Sequence, residues 1–283
     1  MKKLFTLIAS IAIISLSGCS GSAPKALNDP YGGKDVATYL VGEYMSVADA
    51  KAKLSGAGFE IVAQYAPVKK GTTIVFTNEA LKAEGAKPGR AYIAVLRLFV
   101  DEKEKMISIT NPVYFGKAFM QDDYDYDVFA EQLATIHAAF AGLTESPDKF
   151  AYNSLADYNF MIGMPHYDGQ DMLGDASATT ADAVQKAKGY KKGKEVIFEL
   201  QLSDTSTLLG YELGKRTKKF VEKIGRQNAA ILPWCVSIEN GQAKALNAKY
   251  YIALSYPLLD MGGFMGIATV PGAITKDLEK AFK

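Results

Sequence analysis

Methionine and histidine stand close together in Met161-Ile162-Gly163-Met164-Pro165-His166, with Met172 a little further on. Thioethers and imidazole suit Cu(I), a soft cation, and also serve as axial ligands of haem iron. Met161, Met164, His166 and Met172 are therefore the candidate metal ligands of the chain, for copper or haem. Packing is the competing role, because methionine is a flexible gap-filler in cores. No fixed ligand spacing of the paired-cysteine kind marks the segment. The second histidine, His137, shares an expected helix with Leu133, Ile136 and Phe140 and has no other ligand one turn away. It reads as a flank residue.

The remaining reactive residues form no catalytic set. Asp122-Asp123-Tyr124-Asp125-Tyr126-Asp127 alternates acids as calcium loops do, but the glycine and distal glutamate of such a loop are missing. The run reads instead as an acidic start to a helix at Val128, where carboxylates meet the positive end of the helix dipole. Cys235, beside Trp234 in an apolar stretch, reads as a buried inert thiol. Gly210 to Lys215 is one residue too short for a phosphate loop, and Arg216 stands where Ser or Thr would hold magnesium. There is no Gly-x-Ser-x-Gly elbow and no His-Glu-x-x-His pair. With only His137 and His166 available, a hydrolase would have to work through carboxylates. No catalytic residue is assigned.

The other cysteine has a telling context. Met1-Lys2-Lys3 is a short basic start, and Leu4 to Leu16 is an apolar run too short to span a bilayer. It ends in Leu16-Ser17-Gly18-Cys19. This pattern resembles the lipobox of bacterial lipoproteins. The resemblance implies a signal peptide over residues 1–18, cleavage before Cys19 and acylation of its thiol with a palmitate-type lipid. Ser20, where an aspartate would favour inner-membrane retention, implies the outer membrane of the cell envelope, facing the periplasm. Lipid on Cys19 leaves Cys235 alone, so no disulfide can form within the chain.

Removing residues 1–18 leaves 265 residues, enough for two ordinary domains. Formal net charge is +1, and losing Lys2 and Lys3 takes it to −1. That balance gives no electrostatic reason to expect nucleic acid. An apolar fraction of 48% belongs to a globular chain.

Residues 19–35 are rich in Ser, Gly, Pro and Ala and read as a flexible tether. Beyond them the pattern repeats. Ser46-Val47-Ala48-Asp49 and Thr179-Thr180-Ala181-Asp182 are capping-box-like helix starts, with Ala50 matching Ala183. Ala94 to Asp101 and Leu232 to Glu239 are apolar strands ending in an acid. A polar turn follows each, Glu102 to Lys105 in one and Asn240-Gly241-Gln242 in the other, and Asn-Gly is a strong hairpin signal. The next strand is expected to end at Asn111-Pro112 and at Tyr256-Pro257, each seven residues before a Phe-Met pair, Phe119-Met120 and Phe264-Met265. A closing helix carries Phe129, Leu133, Ile136 and Phe140 in one half. Ile274, Leu278 and Phe282 match it in the other, with Thr275 as its expected cap. The reading is α+β: two tandem related modules, each an antiparallel sheet backed by helices on one face, at 36–145 and 176–283, joined by a linker at 146–175.

Ile74 to Leu81, Ala94 to Asp101 and Ile107 to Pro112 make the first half similar to the domain-of-unknown-function 302 family. The second half resembles it at Leu232-Pro233 and Tyr256-Pro257. Glu79 departs from the family's usual Asn-Pro-x-Leu turn. The resemblance implies a compact α+β fold and brings no reaction or catalytic residue with it. The functional expectation is a membrane-held, non-enzymatic module that binds a protein or small molecule at the junction of its halves. The alternatives are copper or haem handling by the linker, or a carboxylate hydrolase.

Overall fold

The computed structural model describes residues 30–283. Cys19, the expected signal peptide and most of the expected tether lie outside the described residues. The first half runs β1 (Asp35–Ala37), β2 (Tyr39–Glu43), α1 (Val47–Gly56), β3 (Glu60–Val68), β4 (Gly71–Thr77), α2 (Glu79–Gly85), β5 (Leu96–Asp101), β6 (Met106–Thr110), α3 (Pro112–Met120) and α4 (Tyr126–Ala139). Two short strands follow, β7 (Thr144–Glu145) and β8 (Lys149–Ala151). The second half runs β9 (Asp171–Met172), α5 (Thr180–Gly189), β10 (Val196–Ser203), β11 (Ser206–Tyr211), α6 (Phe220–Ile224), β12 (Trp234–Glu239), β13 (Gln242–Ala245), α7 (Ala248–Ser255), α8 (Met261–Gly266) and α9 (Val270–Glu279).

The α+β expectation holds. Two antiparallel sheets carry the fold, ordered β3-β4-β5-β6-β2-β7 and β10-β11-β12-β13-β9. Leaving β7 aside, the two orders coincide strand for strand. The local signals explain why. Ser46 caps α1 and Thr179 caps α5, each hydroxyl accepting the amide three residues on, Asp49 or Asp182, at 3.1 Å. Ala50 and Ala183 are both buried one turn in. Asn240 and Gly241 both take left-handed backbone between β12 and β13 (φ 49° and 81°), the pair of positive φ angles that a tight hairpin turn requires.

Four sequence expectations are corrected. The segment before Tyr256-Pro257 is helix α7, not a strand. Its apolar run, Tyr250 to Leu254, has no period that separates a buried helix from a buried strand. Asn247 decides it by capping the helix, its side chain accepting the Lys249 amide at 3.0 Å. The equivalent of Asn111 is therefore Asn247, since Asn111 caps α3 in the same way through the Val113 amide. The shared Pro-to-Phe-Met spacing is coincidental: Pro112 opens α3, whereas Pro257 follows α7. Thr275 lies inside α9 rather than at its start, and its hydroxyl donates to Asp171 Oδ2 at 2.7 Å. The segment 146–175 is not a free connector. Its strand β8 pairs with β1, its strand β9 closes the second sheet, and Tyr152, Leu155, Tyr158, Tyr167 and Leu173 are buried.

The halves share one hydrophobic core, and their contact is reciprocal. Tyr114 on α3 donates to the Leu254 carbonyl of α7 at 2.8 Å, and Tyr250 on α7 donates to the Ala118 carbonyl of α3 at 3.4 Å. Both pairs are related by the shift that carries Asn111 onto Asn247. The acids ending β5 and β12 do likewise. Asp101 takes both Arg226 Nε and Nη2, at 2.7 and 2.8 Å, from the second half. Glu239 accepts the Gly89 amide from the first at 2.9 Å. Contacts given in both directions in this way are what a two-fold interface shows between subunits.

Candidate functional site

The centre of the junction, where a ligand was expected, is filled. Tyr92, Arg97, Phe119, Trp234, Cys235, Leu246 and Tyr251 meet there and leave no space for a water molecule. Arg97 is 4% exposed; its Nη2 donates to Cys235 Sγ at 2.9 Å and its Nη1 to Tyr251 Oη at 3.2 Å. Burial pushes the Cys235 thiol up, and the Arg97 charge offsets only part of that rise. Cys235 is a free cysteine, buried as expected.

The Met/His residues lie at the surface. His166 is exposed, and its Nε2 stands 2.9 Å from Asn159 Nδ2. The Met164 amide donates to the Met161 carbonyl in a turn. Met172 lies on β9, paired with Lys244. Met161 and Met172 are exposed and Met164 half-buried. His137 is exposed on α4. Of the acidic run, Asp125 caps α4 through the Asp127 amide, and Asp123 pairs with Arg90. No group of three or more His, Cys, Asp or Glu among the described residues is placed to hold a metal ion.

A cleft of about 200 Å³ opens instead at one end of the second sheet, lined by residues of β11, α9 and the α5–β10 connection. Strand register shows its origin. Phe76 pairs with Leu96, and Tyr211 pairs with Trp234, the first residue of the corresponding strand. Tyr211 thus holds the place of Phe76. Glu60 pairs with Thr77, and the Glu212 amide donates to the Glu195 carbonyl at 2.7 Å, so Glu195 corresponds to Glu60 and Lys194 to Phe59. In the first half the Phe59 and Phe76 rings meet edge to face, 5.0 Å apart, and close that end of the core. In the second half a lysine and a tyrosine replace them. The connection also lengthens from 57–59 to 190–195. It turns through Lys191 and Lys192 with φ of 45° and 61°, a left-handed backbone that lysine rarely adopts.

The polar groups of the cleft are largely paired among themselves. Lys191 Nζ reaches Glu195 Oε1 at 2.8 Å, and Lys280 Nζ reaches Asp277 Oδ1 at 2.8 Å. Asp277 Oδ2 also accepts the Gly214 amide and the Thr217 hydroxyl. Burial alone would raise the Asp277 carboxyl, but Lys280, Thr217 and the Gly214 amide together hold it below the usual carboxylate range. Among the side chains lining this cleft, two buried atoms have no hydrogen-bond partner among the described residues, Glu195 Oε2 and Tyr211 Oη. Burial, and then the charge of Glu195, push the Tyr211 phenol up, so it keeps its proton and can donate. An unpaired buried polar atom costs about 1–3 kcal/mol, and both lie behind the cleft wall rather than on its surface.

None of these residues carries a motif in the sequence. Gly210 to Lys215 came nearest, as a failed phosphate loop. Only the register that sets Tyr211 over Phe76, and the extra length of 190–195, mark the place. No family model, no curated protein and no solved structure matches the chain.

Proposed function

We propose that the chain is a lipid-anchored protein of the bacterial cell envelope, facing the periplasm, whose folded body binds a small ligand in the cleft beside Tyr211. The anchor rests on the sequence around Cys19. The ligand site rests on one observation: where the first half is closed by Phe59 and Phe76, the second half opens a cleft of about 200 Å³ lined by Lys191, Glu195, Asp277 and Lys280. Nothing in the fold requires a polar opening there, since the first half closes the same place with phenylalanine. The matching strand orders support reading the body as a duplicated module, the arrangement implied by the resemblance to the domain-of-unknown-function 302 family.

Binding rather than catalysis is favoured by the pairing of Asp277 and Glu195 with lysines, which occupies both carboxyl groups. The test has two arms. Metabolic labelling with a palmitate analogue, with cell fractionation, should give a labelled membrane protein, and Cys19→Ala should be unlabelled and absent from the outer membrane. Mass spectrometry of small molecules released from the full-length protein should find one that is missing when Gly214, whose Cβ would stand 2.8 Å from Asp277 Oδ2, is replaced by leucine to crowd the cleft. An unlabelled wild type would remove the anchor, and identical small-molecule profiles would remove the ligand site.

A further inference from the structure

We infer that the exposed apolar patch made by residues 160–162 and 258–265 docks into an anionic lipid surface, so that the tethered body lies on the membrane by this side; this rests on the anchor at Cys19 and not on the cleft. Seven large apolar side chains are exposed among the described residues, and five of them, Met161, Ile162, Leu258, Met261 and Met265, belong to these two segments. Single exposed apolar residues are ordinary, whereas a cluster marks a contact surface. The stacked rings of Phe160 and Phe264, 4.9 Å apart, join the segments. Ile162 is fully exposed, and Leu258 and Met265 are each 63% exposed. Met261 and Met265 stand one turn apart on α8 and so share a face. Unbranched methionine side chains adapt to irregular apolar surroundings, as acyl chains are.

The length of chain ahead of the body selects lipid as the occupant. Cys19 lies eleven residues before Pro30, where the described residues begin. At full extension that stretch reaches about 40 Å, and as a Ser/Gly-rich coil about 20 Å. A body anchored there is held within roughly its own width of the bilayer. The chain enters the body beside the first of the two segments. The Tyr31 ring stacks on Tyr152 at 4.8 Å, β1 pairs with β8, and the Phe150 ring of β8 meets that of Tyr158, just ahead of Phe160. The stretch 20–29 carries one large apolar side chain, Leu27, so it does not match the patch as a cover.

Charge agrees. Lys223 and Ile224 of α6 border the same hollow as Leu259 and Ile267. Next along the chain, Glu222 and Arg226 line a second hollow with Lys69, Lys70 and Lys103. Arg226 is bound to Asp101, and Lys103 to Glu104. Lys69, Lys70, Lys219 and Lys223 are exposed, and none is paired with an acid among the described residues. The acids of this surface are Glu222 and Asp260, and Asp260 accepts the Gly263 amide at 2.7 Å. Apolar side chains bordered by unpaired lysines make an interfacial membrane contact, and each lysine near an anionic surface adds to the attraction.

In the test, full-length protein carries an environment-sensitive fluorophore on one added cysteine, Ile162→Cys or Leu258→Cys in the patch and Asp204→Cys outside it; Cys235 is buried. The protein is reconstituted on vesicles of phosphatidylethanolamine and phosphatidylglycerol, or of phosphatidylcholine alone, with a nitroxide in the acyl chains as quencher. Flotation with the vesicles reports the anchor, and quenching reports the patch. On the anionic vesicles both patch labels should be quenched and the label at position 204 should not. Lys69→Ser with Lys70→Ser should lower the ratio of inserted to free patch label about fivefold per lysine, and phosphatidylcholine alone should also lower it. Leu258→Ser with Met265→Ser, read from the label at position 162, should lower it about tenfold. Those side chains face water in the free body, so the melting temperature should not fall. Flotation with patch labels quenched no more than the label at position 204 would overturn the inference and leave the anchor standing. A blue-shifted but unquenched patch label would put a second copy of the chain on the patch and overturn it as well. Failure to float would remove the anchor and the inference together.

Discussion

Arg97 and Cys235 touch across the junction at 2.9 Å, and they are the same position of the two halves. Each follows the first residue of the third strand in its sheet, Leu96 or Trp234. The near-symmetric body therefore places a permanent cation against a thiol on its own pseudo-axis, with no carboxylate paired to Arg97 among the described residues. A buried charge without a counter-charge costs more than it returns. We predict that Arg97→Met, which keeps the volume and removes the charge, leaves the urea midpoint level or raised. Arg97→Ala should cost about 3 kcal/mol by opening a cavity. A large loss in Arg97→Met would mean that the charge itself holds the halves together.

Asp101 behaves oppositely. Its side chain is fully buried, and Arg226 binds it through two nitrogens. Burial raises its carboxyl, but Arg226 and the Glu104 and Lys103 amides outweigh that and hold it below the ordinary range. A depressed carboxylate stabilises the fold above its unfolded pKa, near 4, and that stability is lost as pH falls through the folded value. Arg226→Ala should destabilise by about 3–5 kcal/mol at pH 7. It should also flatten the fall in stability below pH 4, read from urea midpoints at several pH values.

Asp148 carries the reverse sign. It is 5% exposed and has no cation beside it among the described residues. Burial pushes its carboxyl up, and the Asn228 side chain and the Asp148 and Leu258 amides offset this only in part. For a raised carboxyl the favourable contribution is complete below the unfolded pKa and disappears as pH climbs through the folded one. Asp148→Asn should raise stability at pH 7 relative to pH 4, seen as a smaller difference between melting temperatures at the two pH values. An unchanged difference would place the acid in water.

Tyr114 and Tyr250 make equivalent bonds of unequal length, 2.8 and 3.4 Å. Tyr114→Phe should cost about 1 kcal/mol and Tyr250→Phe less, because the longer bond is the weaker one. Equal losses in chemical denaturation would show that the two bonds are equivalent in energy as well as in position.

What could be read from the chain was local. Ser46 and Thr179 announce their helices because a cap and its partner amide lie three residues apart. Asn240-Gly241 announces its hairpin because the turn needs left-handed backbone at both residues. Tyr250 to Leu254 misled, since a run buried on every side has no period, and the cap that settles it is a single asparagine. The cleft was beyond reach for another reason. Glu195, Tyr211 and Asp277 come from a connection, a strand and a helix far apart in the sequence, and only the folded register brings them together. Even there the signal is a departure from symmetry, tyrosine where the other half has phenylalanine.

The reciprocal hooks, Asp101 on Arg226 and Glu239 on the Gly89 amide, make each half the missing partner of the other. Cut apart, each piece would present to water the surface that now faces its twin, including Arg97 on one and Cys235 on the other. A chain severed within 146–175 should therefore yield fragments that aggregate alone and reassemble when mixed. The body inherits the obligate bond of a dimer without its dependence on concentration, so it stays whole at any dilution.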